Sequence, residues 1–160
     1  MKLLRELSEA AGVPGREEAI RAIVARELKG HVDQISVDTM GNLIAFKKGS
    51  ARTRERVMFA AHMDEIGFYV RHVDDNGFLW LNAAGGFDTR NLFASRVTVV
   101  TDSGDIHGVM NPGGKPIHIS SEAERTKVPG VEEFFVDLGM APADVKKKEK
   151  VGDYVVHEDH

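Results

Sequence analysis

The sequence predicts two folding styles in one 160-residue chain, an α/β portion up to about residue 66 and an all-β unit beyond it. Three observations lead there. Ile20, Ile23, Val24 and Leu28 share one helical face. Val57, Met58, Phe59, Ala60 and Ala61 run without a polar interruption, as in a central parallel strand covered on both faces. After Ile66, short alternations of apolar and polar residues separated by turns replace the helical spacing, as in a small barrel or sandwich.

In chain order, Leu3, Leu4, Leu7 and Ala11 recur at helical spacing until Gly12-Val13-Pro14-Gly15 breaks the pattern, which predicts a short first helix. Glu17 and Glu18 favour the positive end of a second helix, which carries the apolar stripe and closes at Lys29-Gly30. Ile35 and Val37 alternate with polar neighbours, Met40-Gly41-Asn42 turns, and Leu43-Ile44-Ala45-Phe46 runs back as the second arm of a β-hairpin. Residues 47–56 are polar and predict a solvated loop. A single buried strand over residues 57–61 needs parallel neighbours and covering helices, so the first portion reads as incomplete, with the remainder expected further C-terminally.

Beyond it, Ile66, Phe68 and Val70 alternate, Asp74-Asp75-Asn76-Gly77 turns, and residues 78–81 form another short strand. Residues 96–100, the turn Asp102-Ser103-Gly104 and residues 106–110 predict a second hairpin, and residues 134–136 and 154–156 further strands. Residues 111–130 read as a long loop, and residues 142–150 as one helical turn or more. The domain boundary is placed near Gly67, dividing the chain into residues 1–66 and 67–160.

Composition narrows the partners. Twenty-one basic against 25 acidic residues, a net charge of −4, offer no basic field for nucleic acid. No window approaches the roughly 20 apolar residues of a membrane span, and the opening Met1-Lys2-Leu3-Leu4-Arg5-Glu6 lacks the apolar core of a signal peptide, so a cytoplasmic protein is expected. The absence of cysteine leaves His, Asp, Glu and backbone or water oxygen as metal ligands.

His62 and Asp64 follow the apolar run directly, where α/β proteins gather ligand-binding groups outside the carboxyl ends of strands. If the backbone stays extended through Met63, both side chains face one side and Met63 faces the core. Imidazole can ligate a divalent metal through one ring nitrogen while a carboxylate takes the other N–H and fixes the tautomer. The same spacing fits a histidine at a strand end hydrogen-bonded to Asp or to backbone. A catalytic zinc site needs about three protein ligands plus water, so this pair is at most one corner of one.

Taken together and in order, three segments carry a resemblance. They are Leu7-Ser8-Glu9-Ala10 with Gly12-Val13-Pro14-Gly15 and Glu17-Glu18, then Asp38-Thr39-Met40-Gly41-Asn42-Leu43-Ile44-Ala45, then Ala61-His62-Met63-Asp64-Glu65-Ile66-Gly67. With Gly77-Phe78-Leu79, Gly85-Gly86 and Val151-Gly152-Asp153, the chain resembles the tetrahedral or glutamyl (deblocking) aminopeptidases, co-catalytic metallopeptidases whose relatives have sometimes been labelled endoglucanases. The resemblance implies an N-terminal fragment: part of an α/β, phosphorylase/hydrolase-like catalytic domain, then a small all-β PDZ-like barrel inserted in it and used for subunit contacts. It implies a site with two divalent ions, zinc or cobalt, in the complete enzyme, where His62 binds one metal and Asp64 is its orienting carboxylate. Peptides are the implied substrates and self-association through the β-rich domain the implied assembly. The family's bridging Asp, general-base Glu and remaining ligands come after the insert, so at most a partial site and no catalysis are expected of residues 1–160 alone.

Other readings remain. The chain could be an assembly module without catalysis, or part of a related co-catalytic carboxypeptidase or deacylase, which also opens with His-x-Asp after an apolar strand. The tail His157-Glu158-Asp159-His160 could trap a metal but reads as a mobile, solvated end. His118, in the long loop, is a surface, interface or binding residue. His31, His72 and His107 lack a partner at an informative spacing. Gly85-Gly86 and Gly113-Gly114 fit turns better than phosphate loops, Lys146-Lys147-Lys148 is a solvated face, and Ser120-Ser121 lies in no nucleophile elbow.

Overall fold

The computed structural model describes residues 2–50, 52 and 55–158 and divides into two compact units, Met1–Glu65 and Ile66–His160. In the first, helix α1 (Lys2–Glu9) precedes helix α2 (Glu18–Leu28), and the intervening Gly12-Val13-Pro14-Gly15 turn buries Val13 completely. Ile20 on α2 is buried, while Ile23, Val24 and Leu28 are half-buried. Glu18 lies in the first turn of α2 and Arg26 in its last, each the sign that the helix dipole favours at its end. Strands β1 (Gln34–Val37) and β2 (Leu43–Phe46) form an antiparallel hairpin in which Val37 faces Leu43. Its turn is held by Asp38, whose carboxylate accepts the Met40 and Asn42 N–H groups, both at 2.9 Å.

The expected buried parallel strand is corrected. Residues 57–61 adopt no strand, and Val57, Met58 and Phe59 are 80%, 87% and 95% exposed. An apolar run becomes a covered strand only when neighbours supply ladder hydrogen bonds and both covering faces. Among the described residues none does so.

The second unit is a closed six-stranded antiparallel barrel in the order β3-β4-β7-β6-β5-β8. Its strands are β3 (Gly67–Val73), β4 (Leu79–Ala84), β5 (Ser95–Thr101), β6 (Gly104–Pro112), β7 (Phe134–Asp137) and β8 (Tyr154–His157). Alternate residues point inward, which puts Phe68, Val70, Leu79, Leu81, Val97, Val99, Met110, Phe134, Val136 and Val155 in one fully buried core. This resolves barrel against sandwich. Phe87 stacks on Phe68 with ring centroids 4.2 Å apart, extending the core beyond the strands.

Two glycines are required by close approaches. A side chain at Gly108 on β6 would stand 2.6 Å from Val136 Cγ1 and 3.0 Å from the Asp137 carbonyl, so Gly108 lets β6 and β7 converge. Gly77 has a φ of +85°, and its Cα faces the first turn of helix α4 (Pro142–Lys148), where an added Cβ would lie 3.0 Å from Pro142. Helix α4 buries Val145 in the barrel core. The long connection from β6 to β7 contains one further short helix, α3 (Glu122–Thr126), closed by a capping box between Ser121 and Glu124.

Candidate metal-binding site

Among the described residues the segment that carries His62 and Asp64 pairs with no strand, and a backbone contact ties down its end. The Glu65 N–H donates to the Gly12 carbonyl at 2.8 Å, tying residue 65 to the turn between α1 and α2. That turn is itself braced, because the Arg16 N–H donates to the Val13 carbonyl at 2.8 Å and the Gly15 N–H to Glu17 Oε1 at 2.6 Å. The turn that sequence reads only as a helix breaker therefore also anchors the His-x-Asp segment.

His62 Nδ1 lies 2.9 Å from the Asp64 carbonyl oxygen and 3.3 Å from Asp64 Oδ1. A carbonyl oxygen can only accept, so Nδ1 carries the hydrogen and the neutral ring keeps its lone pair on Nε2. The imidazole is exposed and Asp64 half-buried. Backbone and side chain of one residue thus orient one ring, an arrangement common to metal-ligating histidines and to ordinary surface ones. Among the described residues no three His, Asp or Glu side chains come together as a metal cage.

A second cluster lies on the barrel wall. Glu158 Oε1 accepts from Thr98 Oγ1 at 2.8 Å and makes a short contact with His107 Nδ1, while Arg96 Nε lies 4.0 Å from Oε2. The Thr98 hydroxyl, His107 and Arg96 hold the Glu158 carboxyl below the usual range against the opposing effect of burial. Arg96, His107 and Glu158 border a cleft of about 330 Å³ with Val109, Asp137 and Leu138. Thr98 is paired with His107 across β5 and β6, and the Glu158 N–H donates to the Arg96 carbonyl at 3.1 Å, so this is a clasp over three strands. Sequence spacing gives no sign of it, since His107 and Glu158 stand 51 residues apart.

It also corrects the solvated tail. Tyr154–His157 is a barrel strand, His157 lies 6.2 Å from both the Phe68 and Phe87 rings, and Glu158 is committed to the clasp. Asp159 and His160, the rest of that candidate metal trap, lie outside the described residues. His118 is exposed in a short 3₁₀ turn, Ile117–Ile119.

The sequence profile of the M42 glutamyl aminopeptidases matches residues 41–160, which span the His-x-Asp segment and the whole barrel. The chain belongs to the M42 glutamyl aminopeptidase family. A lysyl aminopeptidase from Pyrococcus furiosus is 39% identical to this M42 chain over 124 residues, 77% of the chain and 34% of that protein. A TET aminopeptidase from a marine sediment archaeon of the Thaumarchaeota superposes with a TM-score of 0.89 at 33% identity, covering 98% of this chain and 43% of that one. The Pyrococcus horikoshii TET1 peptidase, described as assembling into a tetrahedron or a large octahedral shell, superposes at 0.84 with 31% identity, covering 99% and 46%. The M42 chain thus spans less than half the length of these relatives.

Proposed function

We propose that this M42 chain supplies the opening of the catalytic α/β domain and the barrel insert of a metal-dependent aminopeptidase that removes N-terminal residues from peptides. The observation that carries the reading is His62, held through Nδ1 by Asp64 so that the Nε2 lone pair is free. His62 would hold one of two divalent ions, zinc or cobalt, through Nε2, and Asp64 would fix the ring's tautomer and raise its basicity. Two such ions, when bound, supply an activated water and a polarised carbonyl for peptide hydrolysis. The residues present would fit one corner of that site, and the bridging carboxylate and general base would come from the additional length that the relatives have.

The exposed run at residues 57–61 supports the same reading, because five apolar residues before a ligand pair suit a strand completed by further sequence of the same enzyme. The barrel, in the role of a PDZ-like insert, has no free strand edge, so subunits would meet through its wall and loops. Assembly of the related TET1 peptidase into closed shells favours that use.

The test compares the 160-residue chain with a chain extended by its downstream coding sequence. Turnover of amino-acid anilides with zinc or cobalt is expected from the extended chain only, and His62→Ala there should remove most of it together with bound metal. Chelator-sensitive turnover by the 160-residue chain, or a His62→Ala enzyme with unchanged rate and metal content, overturns the assignment.

A further inference from the structure

Glu149 directly follows α4 and is only 5% exposed. Its two carboxyl oxygens are the buried side-chain polar atoms that find no hydrogen-bond partner among the described residues. Its N–H donates to the Val145 carbonyl at 2.8 Å, so it continues the last turn of a helix whose Val145 is sunk in the barrel core. Beyond it the chain is stitched down. Asp153, 2% exposed, accepts the Lys150 N–H through Oδ2 at 2.9 Å. The Gly152 N–H donates to the Val70 carbonyl at 2.9 Å, and the Val70 N–H returns to the Asp153 carbonyl at 2.8 Å. Residues 142–153 therefore form a plug on one barrel end, pinned at its start against Gly77 and by the 2.8 Å Lys146–Asp75 ion pair, and at its finish along β3.

The charges around the plug do not neutralise a Glu149 carboxylate. Asp153 opposes its ionisation and Lys148 favours it more weakly. On the β5–β6 turn Asp102 is engaged by Lys150, and Asp105 at the start of β6 lines the neighbouring cleft with Lys147. On the β3–β4 turn, Asp74 accepts from the Phe78 N–H and Trp80 Nε1, and Asp75 from Lys146. Burial first, then Asp153, pushes the Glu149 carboxyl up to about 7.

We propose that Glu149 is a proton-operated latch: as the neutral acid it seats residues 142–153 on the barrel end, and loss of that proton to solvent releases the segment. A neutral carboxyl without partners costs far less to bury than a carboxylate beside a second carboxylate. Once the segment lifts, the carboxyl is solvated and returns to its ordinary value. The folded form therefore binds the extra proton, and the seating weakens as pH rises from 4.5 through about 7.

Hydrogen exchange of the whole chain, corrected for intrinsic rates, tests this at the Glu149, Gly152 and Asp153 amides. Between pH 5 and pH 8.5 their opening equilibrium should rise on the order of a hundredfold, while amides in the middle of β5 and β6 change little. Glu149→Gln should flatten the rise, and the wild-type Glu149 carboxyl carbon should titrate near neutrality by NMR. Opening that is independent of pH, a carboxyl midpoint in the ordinary carboxylate range, or a variant that keeps the wild-type pH dependence overturns the latch. If Glu149→Gln does not fold, the wild-type carbon titration and exchange profile decide.

Discussion

At the scale of single residues, the contact between His62 and Asp64 is legible because the two sit two apart in one segment, within reach of each other whatever surrounds them. The accepting atom is less legible. Spacing points to the carboxylate, while the shorter contact is the Asp64 backbone carbonyl, which no residue type announces. Asp64→Asn in the extended enzyme should therefore keep the ring's tautomer yet lose the nearby charge, lowering metal affinity or rate roughly 10 to 100-fold with the fold intact. Metal titration and circular dichroism check the two halves of that expectation, and wild-type affinity and rate would reduce Asp64 to a surface carboxylate.

The clasp on Glu158 belongs to the same scale and stayed hidden, since its partners meet only through barrel registry. Its carboxyl is held low in the folded chain, so its contribution to stability is full above the unfolded value near 4.5 and is lost as pH falls through the folded value. Glu158→Gln should lower the melting temperature at pH 7 and make the further drop between pH 5 and pH 3 shallower than in the wild type. Parallel melting profiles for the two proteins would deny the clasp any electrostatic part.

Among elements, those with a complete local signal were readable. The stripe on α2, the Met40-Gly41-Asn42 turn and the strands β3 to β8 all combine periodicity with turn residues that mark their ends. Helix α3 shows the opposite failure, because Ser121 and Glu124 stand at capping-box spacing in the sequence while the glycines and prolines nearby signal a loop. The run at residues 57–61 was legible as apolar but not as uncovered, since covering depends on neighbours that periodicity does not report. Convergence of β6 on β7 rests on the bare Cα of Gly108. Gly108→Ala should cost about 1 to 3 kcal/mol of stability by overpacking against Val136 and Leu138, measurable by urea unfolding; an unchanged midpoint would mean that the two strands can separate freely.

For the whole molecule, the two units differ in how much they bury. The barrel has a continuous core from Phe68 to Val155, whereas among the described residues of the first unit Val13 and Ile20 are the buried hydrophobic side chains and Phe46, Val57, Met58 and Phe59 face solvent there. Each Å² of apolar surface left in water forgoes roughly 25 cal/mol, so association is the expected outcome for the 160-residue chain. Light scattering should report a dimer or larger species, and limited proteolysis should cut the first unit before the barrel. A monomer with an evenly protected first unit would show that this sequence finishes its own core.

Strands β3 and β8 are antiparallel neighbours, with Phe68 opposite Val155 and Tyr69 opposite Tyr154. The chain thus comes into the barrel and goes out of it at adjacent points, roughly 5 Å apart, the spacing of paired strands. To the polypeptide on either side, some ninety intervening residues look like a tight hairpin bend once the barrel has folded, and their length adds almost nothing to the entropy of closing that connection. Such geometry makes the barrel a cassette: it can be exchanged for a short turn, or spliced into a surface loop of another scaffold, without asking the flanking chain to span any distance.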